Sequence, residues 1–271
     1  MDVYGLLGNP VGHSVSPLMQ EAGFNALGLD AKYVTFEPPV DTIEQAVAAA
    51  ETLGIKGLNV TIPFKESVVP LVETDQLAAR VGAVNTIDFS TSPPTGYNTD
   101  VSGAMRAITH HGVDLTDRRV VLIGAGGAAR AIAVGLLDAG ANVTVVNRTR
   151  QRAEALASEF PDLSVEGFDS LSTTVAESSV LINATSVGME SNETVVPAAA
   201  LHEDLVVMDI VYRPLQTRLL REAASAGAVT IDGAWMLLFQ GTAAFERWTG
   251  KEAPVEAMNE ALRAALETGT T

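Results

Sequence analysis

The sequence predicts an α/β protein of two α/β domains, the first built on a mostly parallel sheet and the second doubly wound. Three observations predict it. Strand-like and helix-like segments alternate along most of the 271 residues, the pattern that gives parallel sheets with crossover helices. A turn-rich stretch, Ser90-Thr-Ser-Pro-Pro-Thr-Gly96, interrupts that alternation. Further on, the apolar run Val120-Val-Leu-Ile breaks into Gly124-Ala-Gly-Gly-Ala-Ala and opens a helix.

In the first zone, residues 3–7 read as a strand and 18–27 as an amphipathic helix. Residues 32–36 form a second strand and 42–53 a second helix, while 57–62, ended by Pro63, and 83–89 are further strands. A helix starts near Asp100 and runs to about His111. Strands follow at 119–123, 142–146, 180–183, 206–211 and 229–231, with a weaker one at 163–166. Ala128, Ala129, Ile132, Ala133, Leu136 and Leu137 recur at helical spacing and predict one apolar helix face. Residues 235–266 read as two helices parted near 250–254, expected to return to the first domain. The domains are thus set at 1–100 plus 236–271 and at 101–235. No internal repeat stands out, and low complexity is approached only in the Ala-rich helices and the Gly269-Thr-Thr tail.

Composition narrows the function. Apolar residues make up 47% of the chain, enough for a full core, and cysteine is absent, which removes disulfides, thiolate metal sites and thiol nucleophiles. The first residues, Met1-Asp-Val-Tyr-Gly, lack the pattern of a signal peptide. No apolar run reaches the roughly 18 residues of a membrane span. A cytoplasmic location is expected. Net charge is 17 − 33 = −16, which argues against nucleic acid or an anionic membrane as partner. Lysines are few: Lys32, Lys56, Lys65 and Lys251. Such a balance suits salt adaptation, ordinary acidic solubility being the alternative. The four histidines lie in separate segments, apart from adjacent His110 and His111, expected on different helix faces; no metal site is indicated.

Gly124-x-Gly126-x-x-Ala129 matches the dinucleotide fingerprint. The first glycine makes a tight turn, the second admits a pyrophosphate, and the third small residue lets helix pack on strand. NAD sites place Asp or Glu at the end of the next strand. Here that position is Asn147, followed by Arg148, with Arg152 one helical turn beyond. A guanidinium binds a 2′-phosphate through charge-assisted bonds, so NADP is preferred; Arg150 reads as a solvated helix start.

The first zone carries polar residues where its strands end. Gly8-Asn-Pro-Val-Gly-His-Ser-Val-Ser-Pro17 offers Ser14 and Ser16, of which Ser16 is well placed as a helix N-cap. Asn59 and Thr61 alternate onto one strand face. Lys65 follows Pro63 at an expected helix start, where a cation is unfavourable, so its presence suggests a chemical role. Asn85 lies on a strand, and Asp100 at the join between the zones. A lysine beside a carboxylate can donate or accept the proton that accompanies hydride transfer to a carbonyl.

Several motifs now fall in order: Gly8-Asn-Pro…His13-Ser-x-Ser-Pro, Asn59-Val-Thr-x-Pro-x-Lys65, Gly82-Ala-Val-Asn85-Thr, Asn98-Thr-Asp100, Gly124-Ala-Gly-Gly, Asn147-Arg-Thr and Asn183-Ala-Thr-Ser-x-Gly188. With them the chain closely resembles the shikimate dehydrogenase family over nearly its whole length. The resemblance implies a Rossmann-type NADP domain, a substrate domain, and NADPH-dependent reduction of 3-dehydroshikimate to shikimate in aromatic amino acid biosynthesis. It implies Lys65 and Asp100 as the catalytic pair. Ser14, Ser16, Asn59, Thr61, Asn85, Tyr212 and Gln240 match substrate-binding positions, with the two serines on the carboxylate. Gly124, Ala125, Gly126, Gly127, Ala128, Asn147, Arg148, Thr149 and Arg152 match the NADP site, and Ile210 and Gly233 its nicotinamide end. The family often has Asp-Gly-x-Gly-Met-Leu, whereas this chain has Asp232-Gly-Ala-Trp-Met-Leu, so Trp235 adds bulk there. Close alternatives are an NAD-dependent quinate/shikimate dehydrogenase and a non-catalytic NADP-binding regulator. Arg148 argues against the first, and the intact Lys65 and Asp100 against the second. A monomer or homodimer is expected.

Overall fold

The computed structural model describes residues 1–268; the Gly269-Thr-Thr tail lies outside the described residues. Contacts divide the chain into two compact units, Met1–Gly103 with the described part of Leu238–Thr271, and Ala104–Leu237. The dividing points fall inside two long helices.

The first unit contains β1 (Asp2–Leu7), α1 (Ser16–Ala26), β2 (Ala31–Phe36), α2 (Ile43–Thr52), β3 (Gly57–Val60), β4 (Glu73–Thr74), α3 (Gln76–Val81), β5 (Thr86–Asp88) and β6 (Thr95–Tyr97), then the start of α4 (Thr99–His110). Its sheet has the order β2-β1-β3-β5-β6-β4. β1 pairs in parallel with β2 and β3, and β4 with β6. The β3–β5 and β5–β6 pairings are antiparallel. The sheet is therefore mixed at one side. The reason lies in Ser90–Gly96: the stretch read as a break between zones is largely a hairpin connection. Asp88 accepts the N–H of Ser90 at 2.8 Å, and the Thr91 and Thr95 hydroxyls meet at 2.9 Å, so the chain turns back into the same sheet.

Leu7, Leu58, Val60, Phe64, Val84 and Ile87 belong to one buried cluster of this unit. On the other sheet face the aromatic rings of Tyr4, Phe24, Phe245 and Trp248 stack in succession, with centroids 5.1–5.3 Å apart. Phe245 and Trp248 come from α9 (Gly233–Thr249), which is followed by α10 (Val255–Glu267). Gly57 makes this docking possible. A Cβ there would run into the Trp248 ring nitrogen, whose N–H donates to Ile87 O at 3.0 Å.

The second unit contains β7 (Arg119–Ile123), α5 (Gly127–Asp138), β8 (Asn142–Val146), α6 (Arg150–Glu159), β9 (Ser164–Glu166), α7 (Leu171–Ala176), β10 (Val180–Asn183), β11 (Val206–Asp209), α8 (Arg218–Ser225) and β12 (Val229–Ile231). The strand order is β12-β11-β10-β7-β8-β9, parallel throughout, which is the doubly wound arrangement. β10 is buried at every residue, as expected of a central parallel strand covered on both faces.

Some expectations need correction. No helix begins at Lys65: the chain there forms turns, with a short 3₁₀ segment at Val69–Leu71. Thr61 lies beyond the end of β3, so Asn59 and Thr61 do not share a strand face. Ser16 is the first helical residue of α1 rather than its cap; the Ser14 hydroxyl instead accepts the Ser16 N–H at 3.2 Å. α5 is buried nearly all round, because Ala131, Val134 and Gly135 are covered as well, Gly135 by Met105 of α4. The His110 and His111 rings do not diverge: both meet Trp235, at 4.4 and 5.5 Å between centroids. Among the described residues no helix is long and apolar enough to cross a membrane.

Candidate active site

Lys65 and Asp100 meet. The ammonium donates to Asp100 Oδ2 at 2.6 Å, with the Lys65 side chain 24% exposed and that of Asp100 9% exposed. Asp100 sits in the first turn of α4, where the helix dipole favours a carboxylate. Asn85 Nδ2 donates to its other oxygen at 2.9 Å. Asn85 is fixed in turn, because its Oδ1 accepts the N–H of Thr99 at 2.7 Å and faces the hydroxyls of Thr99 and Thr86 at 3.1 Å each. The amide therefore cannot flip without losing bonds at both ends.

Thr86 is the hub behind this pair. Its hydroxyl also accepts from Asn59 Nδ2 and contacts the Thr99 hydroxyl, both at 3.1 Å. Asn59 Oδ1 accepts the Tyr33 hydroxyl at 2.7 Å. Burial pushes the Tyr33 phenol well above its ordinary range and keeps it a neutral donor. A buried polar chain thus runs from Tyr33 through Asn59, Thr86 and Asn85 to Asp100 and Lys65. Asn59 is spoken for within it, so the structure gives this residue a supporting place.

Ser14 and Ser16 lie on the loop from β1 to α1, Ser16 buried and Ser14 half-buried. Glu37 holds that loop: its carboxylate accepts the N–H groups of Val11 and Gly12 at 2.6 Å each. The half-buried Thr61 packs under the loop, its methyl filling the space that a Cβ on Gly8 would need. Gln240 is half-buried on α9 in the same unit. Sequence reasoning missed Tyr33, Glu37, Thr86 and Thr99. For Glu37 there was a signal, a carboxylate directly after a strand and before Pro38-Pro39; hydroxyl and amide hubs leave none, because their partners come from distant strands.

In the second unit Gly124 follows β7 with φ +117°, and a Cβ there would lie 2.8 Å from Ala184 O. Glycine is required on both counts. At Gly126 and Gly127 an added Cβ would meet nothing within 4 Å. Those glycines do not serve protein packing; they leave open backbone at the start of α5, with exposed N–H groups and the positive helix end, which fits a pyrophosphate. Ala125 and Ala128 are half-buried, and Ala129 is fully buried. Asn147 Nδ2 donates to Thr149 O at 2.8 Å, shaping the turn into α6. Arg148, Thr149 and Arg152 are exposed there. Arg150 is held by Glu154 at 2.8 Å, whereas Arg148 and Arg152 form no ion pair among the described residues. The residue set fits a 2′-phosphorylated dinucleotide. Ile210 and Gly233 touch: a Cβ on Gly233 would collide with Ile210 O. Tyr212 lies in the exposed loop after β11.

Family models cover nearly all of this. One described as the shikimate dehydrogenase substrate binding domain matches residues 6–87. One described as shikimate / quinate 5-dehydrogenase matches 106–217, and a shikimate 5'-dehydrogenase C-terminal domain matches 233–263. A shikimate dehydrogenase (NADP(+)) from Haloarcula marismortui is 62% identical over 98% of this chain and 100% of its own.

The chain belongs to the shikimate dehydrogenase family.

Solved structures of shikimate dehydrogenases agree in fold. One in complex with NADP+ is 40% identical, with a TM-score of 0.94 over 98% of this chain and 96% of the other. The enzyme from Thermus thermophilus, in complex with NADP(H) and shikimate, is 38% identical, with a TM-score of 0.91 over 98% and 100% of the two chains. Within this shikimate dehydrogenase fold, Trp235 near the start of α9 meets His110 in a tilted ring contact, so its bulk has a packing partner of its own. The Lys65–Asp100 pair gives the fold a proton donor with further N–H groups beyond the one engaged by the carboxylate.

Proposed function

We propose that the protein catalyses the NADP-dependent, reversible reduction of 3-dehydroshikimate to shikimate, in the biosynthesis of chorismate and the aromatic amino acids. The observation that carries this reading is the Lys65–Asp100 pair, 2.6 Å apart and braced by Asn85 in a chain of this family. NADPH, when bound at Gly124–Ala128, supplies the hydride. Lys65 gives a proton to the substrate oxygen in reduction and takes it back in oxidation. Asp100 orients the ammonium and, with Asn85, Thr61 and Gln240, offers hydrogen bonds to substrate hydroxyls. Ser14 and Ser16 hold the carboxylate, on a loop fixed by Glu37. Arg148 and Arg152 receive the 2′-phosphate, Asn147 and Thr149 shape that turn, Ile210 and Gly233 border the nicotinamide end, and Tyr212 contacts the substrate.

A biosynthetic reaction of this kind suits the cytoplasm, with the enzyme a monomer or homodimer. The net charge of −16, with related sequences from halophilic archaea, supports work at high salt.

The test is an absorbance assay at the reduced-nicotinamide band with shikimate or quinate, each with NADP or NAD, over a range of KCl concentrations. Turnover is expected to be fastest with shikimate and NADP and to persist at molar salt. Preference for quinate with NAD would replace the reading with the related quinate activity, and no turnover with any pair would overturn it.

A further inference from the structure

Asp209 ends β11 with no exposed surface, and neither the substrate nor the phosphate reading uses it. Its partners are neutral. Oδ1 accepts Asn183 Nδ2 at 2.9 Å and the Val211 N–H at 3.1 Å, and Oδ2 accepts the Thr217 hydroxyl at 2.7 Å. Among the described residues no cation pairs with it. Burying a carboxylate without a counter-charge is costly, and a fold that tolerates the cost gains something by it.

The bonds lead to the dinucleotide site on two sides. Asn183 is in register with Asp209 on the neighbouring strand β10. With its Nδ2 held by Asp209, its Oδ1 faces the next loop and accepts the Thr185 N–H at 3.1 Å and hydroxyl at 2.7 Å. That loop abuts the first glycine of the cradle, where Ala184 O and the Thr185 methyl lie 2.8 and 3.2 Å from the position of a Cβ on Gly124. On the other side, the Val211 N–H bond anchors the segment holding Ile210 and Tyr212, and Ile210 N donates to Asn183 O at 3.0 Å. Thr217, held by Oδ2, in turn caps α8 by accepting the Leu220 N–H at 3.3 Å.

We propose that Asp209 is a positioning residue for dinucleotide binding, whose carboxylate locks the Ala184–Thr185 loop against Gly124 and fixes the Ile210–Tyr212 segment. The proposal rests on the reading that the Gly124 loop holds NADP. It explains why this chain carries both Asn183-Ala-Thr-Ser-x-Gly188 and the Asp209…Thr217 pairing, which no contact with substrate or phosphate requires. Burial is the main reason its pKa is raised, to about 6, with the hydrogen bonds from Thr217, Val211 and Asn183 opposing the rise.

The test is direct titration of the full-length protein with NADPH, followed by the nucleotide's fluorescence, beside a thermal melt of each variant. Asp209→Ala is expected to weaken NADPH binding about tenfold, the order expected for losing a hydrogen bond to a charged group. Asp209→Asn keeps an oxygen for Asn183 and Val211, so it is expected to bind within about threefold of the parent and to melt no lower. If Asp209→Ala does not fold, Asn183→Ala tests the same lock from its other end, with the same expected weakening. Parent-like binding by Asp209→Ala or Asn183→Ala overturns the proposal, as does Asp209→Asn binding as weakly as Asp209→Ala. Failure of the parent itself to bind NADPH overturns instead the NADP reading on which the proposal stands.

Discussion

Asp100 and Asp209 are both buried carboxylates at the ends of regular elements, one in each unit, and they are treated in opposite ways. Asp100 faces an ammonium at 2.6 Å and one amide. Asp209 faces an amide, a backbone N–H and a hydroxyl, with no cation. The first arrangement holds a charge pair in the geometry that the proposed proton transfer needs, with a polar chain back to Tyr33 behind it. The second accepts three hydrogen bonds from neutral groups, which an apolar side chain could not, and so suits the positioning role proposed for it. Burial alone therefore does not distinguish the two carboxylates; the ammonium protons beside Asp100, absent at Asp209, do.

Lys65→Ala breaks the comparison most severely, since it leaves Asp100 without its cation. Turnover is expected to fall by about 10²-fold or more, the scale of a lost acid–base group, with a much smaller change in KM for shikimate. Steady-state rates in both directions check this, and near-normal turnover would remove Lys65 from the chemistry.

Asp209→Asn sharpens the comparison through stability. The Asp209 pKa is raised in the folded protein, from 3.8 to about 6. The folded state thus holds the proton more tightly than the unfolded chain does. Its ionisation costs stability fully above about pH 6, and the cost fades as pH falls toward 3.8. Removing the charge is expected to raise stability above pH 6 by up to about 3 kcal/mol, at about 1.4 kcal/mol per pK unit. The difference from the parent should shrink as the solution is acidified. Denaturant titrations at pH 7.5 and pH 4.5 decide it; an equal difference at both values would mean that the carboxylate ionises in the fold at no cost.

Thr86→Val has the smallest expected effect, because it leaves both carboxylates in place. It removes the hydroxyl that meets Asn59, Asn85 and Thr99. A fall in kcat of about tenfold is expected from the lost buried hydroxyl contacts and the Asn59 donor they leave unpaired, with Thr86→Ser restoring most of it. Equal activity of the two variants would show that Asn85 holds Asp100 unaided.

The strands of the second unit were the most legible. Those at Arg119–Ile123, Asn142–Val146, Val180–Asn183 and Val229–Ile231 have the bounds that periodicity suggested, because parallel strands are short, apolar-rich and bounded by turn residues. The first unit was harder. β4 spans two residues and β6 three, too short for a period of two to register. The supposed helix at Lys65 failed because a proline after a strand marks where the strand stops without selecting the next element. α5 appeared one-sided because alanine and glycine carry little hydrophobic signal, although Ala131 is buried and Gly135 packs against Met105 of α4.

The sequence by itself determined the alternation of strands and helices, the glycine turn at Gly124, the arginines that follow β8, and Lys65 and Asp100 as residues to watch. Each is a local property, set by a period, a backbone requirement or a charge at a given place. Only the tertiary structure decided the mixed pairing of the first sheet, the ring contact of Trp235 with His110, and the ties that run from Tyr33 to Lys65 and from Asp209 to Gly124. Those depend on which strand ends become neighbours. Sheet order is chosen by the packing of whole elements, so side chains tens of residues apart have no shared pattern in the chain to announce that they will meet.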